Sequence, residues 1–159
     1  MSQEPAERRV VVLAPMPLEM QAIVEAFGLR PTAEDEGAPW SGAVGRSEVT
    51  AVHIGMGPAL TRIALSRLFD EDSPGQVPID HVMIAGICGG LSPDLEVGTL
   101  VNPEVVVEHA SGSSYSHRPP GDAPRAGKLI TTEQATLDVS LSRQFLADGC
   151  LAVDMESSA

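Results

Sequence analysis

Short apolar runs rich in β-branched residues alternate along this chain with stretches that have the spacing of an amphipathic helix. The first run, VVVLAP at residues 10–15, is typical of a buried strand. PLEMQAIVEAFG follows it, and Pro17 and Gly28 suit the first turn and the position just beyond the end of a helix. The apolar residues of this stretch recur at the helical i, i+3, i+4 and i+7 positions: Met20, Ile23, Val24 and Phe27.

The same alternation continues to the end of the sequence. WSGAVGRSEVTAVHIG has the pattern of a hairpin that turns near Gly45 and Arg46, and GMGPALTRIALSRLF that of a glycine turn into a helix opening at Pro58. DHVMIAG, KLITT and CLAVD have the composition of strands, and ATLDVSLSRQFLADG is a weaker helical pattern. We therefore predict an α/β fold: a single three-layer domain with a central mixed sheet flanked by helices. The apolar stripes of the second and third helices are Leu60, Ile63, Ala64 and Leu68, and Leu137, Leu141 and Phe145.

Two segments are expected to lie outside this regular framework. Residues 1–9, MSQEPAERR, have the composition of a flexible polar tail, so the domain is expected to span residues 10–159. Residues 111–127 are polar and rich in glycine and proline, which predicts a mobile loop or lid.

Charge and cysteine content exclude several classes of protein. The 159 residues carry a formal net charge of −12, which gives no electrostatic footprint for nucleic acid or an anionic membrane. No apolar run is long enough for a transmembrane helix, the N-terminus does not have the pattern of a signal peptide, and two cysteines do not make a disulfide framework. We therefore expect a cytoplasmic protein that binds neither nucleic acid nor membrane. We also expect no cofactor and no metal site, since no Cys or His pair has ligand spacing.

Candidate chemical groups lie at the predicted carboxyl ends of strands, where α/β sheets bind ligands. Glu19 is either a surface carboxylate that compensates the helix dipole or a general acid/base beside the strand ends. The segment GICGG at residues 86–90 allows a ligand or a neighbouring chain to approach closely, and its Cys88 is favoured as a small buried hydrophobe over a nucleophile. If Asp154 and Glu156 both lie in a strand, their side chains share one face, and if they lie at the start of a helix, their side chains diverge. A carboxylate there can accept two hydrogen bonds from a vicinal diol such as that of ribose.

The order of the motifs resembles that of one family. The motifs are VVVLAPMPLEM, GMG at the start of a helix, AGICGGLSPDLEVGTLVNPE, KLITTE and AVDMESSA. They cover most of residues 10–159, and the third is the most specific. The set resembles the nucleoside phosphorylase/nucleosidase superfamily, of the purine nucleoside phosphorylase and methylthioadenosine/S-adenosylhomocysteine nucleosidase type. The resemblance implies a phosphorylase-like fold and an enzyme that acts on the N-glycosidic bond of a nucleoside.

The resemblance implies roles for individual residues. Glu19 matches the catalytic glutamate that activates the attacking water in the nucleosidases, and Glu156 matches the glutamate that holds the ribose hydroxyls. Met155 matches the methionine packed on the sugar, and Met16 and Met56 match apolar positions that line the same pocket. The remaining expected substrate-binding residues are Ile87, Cys88, Gly89, Glu133 and Ala135.

Several departures from the family pattern bear on the reaction. Bacterial phosphorylases of this superfamily have an arginine near the position of Glu19, and an arginine and a serine before the central glycine pair. At those last two positions this chain has Ile84 and Ile87. A dianionic phosphate needs cations and hydrogen-bond donors, so these residues favour water as the nucleophile. Ile87 also replaces a hydroxyl residue that is common in nucleosidases, and Ala135 stands where the family often has an aromatic residue.

The end of the sequence is a further departure. In the family a helix, a strand and an aspartate that protonates the purine base follow the Met-Glu motif, whereas this sequence ends at Ala159. We therefore expect that the C-terminal part is missing. Three alternatives stay open: a truncated fragment, a chain that has lost activity, and a chain that a partner completes.

Together these features predict a nucleosidase that cleaves the N-glycosidic bond of a purine nucleoside or thio-nucleoside, with methylthioadenosine/S-adenosylhomocysteine and futalosine as candidate substrates. A purine nucleoside phosphorylase that uses phosphate is the alternative enzyme, and a catalytically inactive nucleoside-binding remnant is the alternative of another class. Since family members pair through faces near the active site, the resemblance also implies a homodimer or a higher homo-oligomer.

Overall fold

The computed structural model describes residues 8–70, 78–117 and 124–159. The chain falls into two compact units, Met1–Gly86 and Ile87–Ala159. Each unit contains a five-stranded mixed sheet and at least one α-helix, so the predicted α/β class with mixed sheets is confirmed. That residues 10–159 form a single domain stays a prediction.

The β-branched run near the N-terminus forms an inner strand of the sheet of the first unit. β1 (Arg8–Ala14) is followed in the chain by the helix α1 (Pro17–Phe27) and the short strand β2 (Arg30–Pro31). The last four residues of β1 are buried, and Ala14 is fully so. Burial of each aliphatic side chain stabilises the fold by about 1.5–3 kcal/mol, so this strand forms much of the core of the unit.

A hairpin and a further parallel strand complete this sheet. β3 (Trp40–Val44) pairs antiparallel with β2 and with β4 (Ser47–His53), while β1 is parallel to both β4 and β5 (His81–Ile84). The order is β2-β3-β4-β1-β5. The hairpin turns at Gly45 and Arg46, as predicted, and Gly45 has a φ of 59°, a conformation that favours glycine.

The first helix has the predicted boundaries. α1 begins at Pro17, and Gly28 follows it with a φ of 64°. Met20 is buried, and the side chains that share its face, Ile23 and Val24, pack against the same core. Phe27, the last residue of the predicted stripe, is 43 % exposed and does not belong to this core.

The second helix begins where predicted, but only part of its predicted stripe faces inward. α2 (Pro58–Leu68) leaves Leu60 and Ile63 exposed, whereas Ala64 and Leu68 of the same stripe are half-buried. Its buried residue is Thr61, whose hydroxyl donates to the carbonyl of Gly57 at 3.0 Å. A threonine can be buried there because this bond within the first turn satisfies its hydroxyl.

The second unit has its own sheet. In chain order its strands are β6 (Gly89–Gly90), β7 (Val105–Glu108), β8 (Ser114–Tyr115), β9 (Lys128–Thr131) and β10 (Cys150–Asp154). β9 is parallel to β7 and β10, and the two short strands pair antiparallel with β10 and β7, which gives the order β6-β10-β9-β7-β8. The described strands thus form two sheets where one central sheet was expected. The reason is that β6, the next strand after β5 in the chain, pairs with β10 and with no strand of the first sheet.

One helix covers a face of the second sheet. α3 (Val139–Ala147) is capped by Asp138, whose carboxylate accepts hydrogen bonds from the amides of Ser140 and Leu141 at 2.7 and 3.2 Å. Phe145 is 2 % exposed and packs with Ile130 and Cys150. The weaker helix is therefore confirmed, but Leu137 precedes it and is exposed. The opposite face of the sheet has a second buried cluster, Val106, Leu129 and Ala152.

The two segments expected to be irregular are only partly described. β1 begins at Arg8, so residues 8 and 9 belong to a strand and not to the expected tail, while residues 1–7 lie outside the described residues. The expected loop at 111–127 contains the short strand β8, and its residues 118–123 also lie outside the described part. Within the described ranges, no helix has the length and apolar composition needed to cross a membrane.

Candidate active-site residues

The carboxyl end of β1 is held on both sides by the segments that leave its neighbouring strands. The amide of Ile54, just after β4, donates to the carbonyl of Ala14 at 3.0 Å. On the other side the amide of Ala85, just after β5, donates to the carbonyl of Leu13 at 3.1 Å. The start of α1 therefore projects from the middle of this edge of the sheet, which is where ligands bind in α/β folds.

Glu19 lies in the first turn of α1 and is 6 % exposed. The amide of Met16, the residue that precedes the helix, donates to Oε2 of Glu19 at 2.7 Å. This backward contact from the third helical position is one half of a capping box, and the helix N-terminus stabilises the negative charge. The burial does not fit a carboxylate on the surface, and the assignment of Glu19 as a general acid/base stays a prediction.

Gly86 lies directly against this carboxylate. A Cβ added to Gly86 would lie 2.6 Å from Oε1 and 2.9 Å from Cδ of Glu19. The sequence analysis singled out the glycine-rich segment but did not connect its first residue with Glu19. The repetition of glycine after a buried strand led us to expect a ligand or a neighbouring chain close to the segment, whereas the group beside Gly86 is a side chain of the same chain.

The two methionines expected to line a pocket differ in exposure. Met16 is half-buried with extended backbone, φ −120° and ψ 151°. Met56 is exposed and lies between Gly55 and Gly57, whose φ values are 82° and 95°. Both positive φ values favour glycine, so the Gly-Met-Gly turn places Met56 on the surface at the carboxyl end of its strand.

Asp154 ends β10 and anchors the turn that follows. The hydroxyl of Thr131 on β9 donates to Oδ1 of Asp154 at 2.7 Å, and the amide of Ser157 donates to Oδ2 at 2.9 Å. In addition, the amide of Thr132 donates to the carbonyl of Asp154 at 2.9 Å. The first carboxylate of the Asp-Met-Glu motif therefore has a structural role in joining two strand ends.

Glu156 is the second carboxylate of the motif and is buried, with 7 % exposure. The amide of Met155 donates to Oε2 of Glu156 at 3.2 Å, and the amide of Ala159 donates to its carbonyl at 3.0 Å. Met155 itself is half-buried. Glu156 lies in a bend after β10, so the two carboxylates occupy neither of the two expected arrangements, a shared strand or a helix start.

The segment that opens the second unit is apolar. Ile87 is exposed, and Cys88 packs against the cluster around Val106. A Cβ on Gly89 would lie 3.1 Å from Cγ1 of Val153, so glycine allows β6 to pair closely with β10. Burial raises the pKa of the Cys88 thiol above its ordinary value, and the negative charge of Asp154 raises it further. Such a thiol stays protonated at neutral pH, which fits the interpretation of Cys88 as a buried hydrophobe rather than a nucleophile.

The segment after β9 contains polar groups at the carboxyl end of that strand. Glu133 and Ala135, both expected in a binding site, are exposed. Thr131 and Thr132 are buried, and the hydroxyl of Thr132 donates to the carbonyl of Gln134 at 2.8 Å. The sequence analysis did not identify the two threonines as structural residues, because this role depends on their hydrogen bonds to Asp154 on the neighbouring strand.

In the described ranges, no three His, Cys, Asp or Glu side chains form a group that could hold a metal ion. Cys88 and Cys150 are both free thiols.

Comparison with known families decides the affiliation. The family model described as "Phosphorylase superfamily" matches residues 9–147. The chain belongs to this superfamily. The match spans β1 to α3, including Glu19 and the glycine-rich segment, while Met155 and Glu156 follow it. A search of curated proteins finds no sequence that matches this chain.

Solved structures of similar fold include two kinds of hydrolase. A futalosine hydrolase mutant of Helicobacter pylori strain 26695 is similar with a TM-score of 0.70 and 16% identity, over 96% of this chain and 81% of that one. The 5'-methylthioadenosine/S-adenosyl homocysteine nucleosidase of Helicobacter pylori has a TM-score of 0.74 and 17% identity, over 95% and 76%. The corresponding enzyme from S. pneumoniae, with a transition-state inhibitor, has a TM-score of 0.71 and 17% identity, over 94% and 76%. At these identities the likeness shows the fold, and the phosphorylase-like fold is confirmed.

Proposed function

We propose that this member of the phosphorylase superfamily is a nucleosidase, which hydrolyses the N-glycosidic bond of a purine nucleoside or thio-nucleoside. The observation that carries the proposal is the buried carboxylate of Glu19, held at the N-terminus of α1 by the amide of Met16 at 2.7 Å. A carboxylate that is fixed at a strand end is suited to remove a proton from a bound water.

In the proposed reaction Glu19 acts as the general base. The carboxylate takes a proton from water, the water oxygen forms a bond to the anomeric carbon of the sugar, and the carbon–nitrogen bond to the base breaks. The base leaves with the bonding electron pair and takes up a proton from solvent, while Glu19 returns to solvent the proton that it accepted. The contact with Met16 orients the carboxylate before the reaction, and such pre-organisation lowers the barrier because no reorientation is needed during proton transfer.

Glu156 and Met155 are proposed to bind the sugar. A buried carboxylate accepts hydrogen bonds from vicinal hydroxyls more strongly than a neutral group does, and Glu156 is 7 % exposed. Met155 offers a polarisable side chain that packs against an apolar sugar face. Asp154 is not assigned to the substrate, because its carboxylate already accepts hydrogen bonds from Thr131 and Ser157.

The residues near the glycine segment favour water over phosphate. Ile84 ends β5 and Ile87 is exposed, and neither side chain can donate a hydrogen bond. A phosphate dianion would lack the cations and donors that phosphorylases supply at these positions. The substrates to test first are those named for structures of similar fold, futalosine and 5'-methylthioadenosine/S-adenosylhomocysteine. Assembly as a homodimer or higher homo-oligomer and a cytoplasmic location stay predictions.

The test is release of the purine base, followed by chromatography with and without phosphate. Glu19→Gln should abolish turnover and leave nucleoside binding largely intact, since the amide keeps the shape but cannot take the proton. Glu156→Ala should weaken binding by about 1.5–3 kcal/mol, or roughly 10- to 150-fold in Kd. Glu25→Gln is the matched control, because Glu25 lies exposed on the same helix and accepts a surface hydrogen bond from Gln21 at 2.8 Å.

Each alternative gives a different result in this assay. Strict dependence on phosphate would identify a phosphorylase, and full activity of Glu19→Gln would refute the assigned general base. Nucleoside binding without release under any condition would identify an inactive nucleoside-binding protein.

A further inference from the structure

We infer that Gly86 is a positioning residue for the carboxylate of Glu19: the absence of a side chain at Gly86 creates the space in which that carboxylate is held. The inference rests on the proposed function, since it explains how the proposed general base is set in place. It concerns a contact between residues far apart in the sequence, and no motif of the sequence analysis assigns it.

The distances leave no room for a side chain at this position while the Glu19 carboxylate stays in place. A Cβ on Gly86 would lie 2.6 Å from Oε1, 2.9 Å from Cδ and 3.2 Å from Oε2 of Glu19. Carbon and oxygen atoms that are not bonded do not approach this closely without repulsion, so one of the two residues would have to move.

The backbone of Gly86 is the less movable partner. Ile84 is paired in register with Leu13 on β1, and the amide of Ala85 donates to the carbonyl of Leu13 at 3.1 Å. Gly86 follows directly and is thereby held beside β1. The Glu19 side chain rotates about single bonds, and its contact with the Met16 amide at 2.7 Å is the interaction that a shift would break.

Glycine is required at position 86 because a side chain would collide with Glu19, and not because of the backbone conformation. The glycines of this unit with φ in the left-handed region include Gly28, Gly45, Gly55 and Gly57, whereas Gly86 is not among them. An alanine at position 86 therefore introduces no backbone strain of the left-handed kind. Gly86→Ala consequently tests the close contact with Glu19 alone.

The kinetic effect should fall on turnover. A displacement of about 1 Å at a catalytic group costs on the order of 10²-fold in rate, so Gly86→Ala should lower kcat by about 10²-fold and change KM by less than about threefold. A KM effect with unchanged kcat would contradict positioning of the base.

A second measurement does not depend on activity. The amide proton of Met16, observed by NMR in the 159-residue chain, reports on its hydrogen bond to Glu19. Gly86→Ala should move this resonance in the direction seen for Glu19→Ala. Gly42→Ala is the control, because its Cβ meets only Leu29 and the backbone beside it, and Gly42 also has no left-handed φ. An unmoved Met16 resonance in Gly86→Ala overturns the inference.

The outcomes separate the inference from the proposed function. A wild-type chain that releases no base, with a Met16 resonance that moves in Gly86→Ala, rejects the nucleosidase and supports the positioning role. If Gly86→Ala does not fold, Glu19→Ala/Gly86→Ala decides the question, since removing the carboxylate removes the clash. Recovery of folding in the double variant supports the inference, and continued failure to fold overturns it.

Discussion

The hydrogen bond between Thr131 and Asp154 should be a major contribution to the stability of the second unit. Thr131 is 2 % exposed, and its hydroxyl donates to Oδ1 of Asp154 at 2.7 Å across the two parallel strands β9 and β10. Asp154 also accepts from the amide of Ser157 at 2.9 Å. The perturbation that tests this arrangement is Asp154→Ala, alone and combined with Thr131→Val.

The expected magnitude follows from the number and type of bonds lost. A hydrogen bond to a charged group contributes about 1.5–3 kcal/mol, and the half-buried position of Asp154 places both bonds near the lower end of that range. Asp154→Ala should therefore lower the free energy of unfolding by about 3 kcal/mol. Thr131→Val loses only one bond and keeps the volume, so it should cost about 1.5 kcal/mol.

The double variant shows whether the two residues act through each other. In Asp154→Ala the buried hydroxyl of Thr131 is left without its acceptor, and Thr131→Val removes that unsatisfied group. The double variant should therefore cost about 3 kcal/mol rather than the sum of about 4.5, a coupling of about 1.5 kcal/mol. Urea denaturation followed by circular dichroism measures all four proteins. Additivity within about 0.3 kcal/mol would refute the proposed role of the hydrogen bond.

Two further predictions use the glycines and the thiols. Gly28→Ala introduces only the strain of a φ of 64°, since nothing lies within 4 Å of the added Cβ. Gly127→Ala has a similar φ of 63° but also places its Cβ 2.6 Å from Cδ1 of Leu151. Chemical denaturation should therefore show that Gly127→Ala lowers the free energy of unfolding by about 1–2 kcal/mol more than Gly28→Ala, and equal losses would contradict the steric reasoning. Burial raises the pKa of the Cys88 and Cys150 thiols above the ordinary value of 9.0. Because the unfolded chain loses these protons first, the stability they contribute is fully present below that pH and is lost as pH rises through the raised pKa values. Denaturation as a function of pH should show a decline that Cys88→Ala and Cys150→Ala each reduce, and an unchanged decline in both variants would show that the thiols are not its cause.

Local features of the chain could be predicted because neighbouring residues determine them. Pro17 and Gly28 mark the ends of α1, since a first turn tolerates proline and a residue beyond a helix end favours glycine. Gly45 marks the hairpin for a similar reason. Such requirements of the backbone act over a few residues and are visible in the order of amino acids.

Which side of a helix is buried depends on the elements that surround it, and on this point the sequence analysis was partly wrong. The spacing of Leu60 and Ile63 correctly indicated α2, but the structure buries Thr61 instead. Periodicity reports that a stripe exists and does not report which side of the helix meets the sheet. Leu137 was included in α3 because the apolar spacing extends to it, whereas the Asp138 cap starts the helix after it.

The candidate catalytic residue could be predicted, but its surroundings could not. Glu19 was identified from its place in a first helical turn and from the resemblance of its motif. The contact with Gly86 joins two residues that only the pairing of β1 and β5 brings together. Likewise the bond between Thr131 and Asp154 depends on the register of β9 and β10, so the structural role of the first carboxylate in the Asp-Met-Glu motif was not visible beforehand.

The hairpin of the first unit has a spectroscopic consequence. Trp40, on β3 and packed against the core, is the single tryptophan of the chain, and Tyr115, on β8 of the second unit, is its single tyrosine. Indole can be excited at wavelengths where phenol does not absorb, so its emission reports on the first unit alone, while tyrosine emission, which lies at shorter wavelength than that of indole, reports on the second. Denaturation curves recorded with the two chromophores therefore distinguish a chain that melts as one cooperative body from one whose halves melt separately, without any label or substitution.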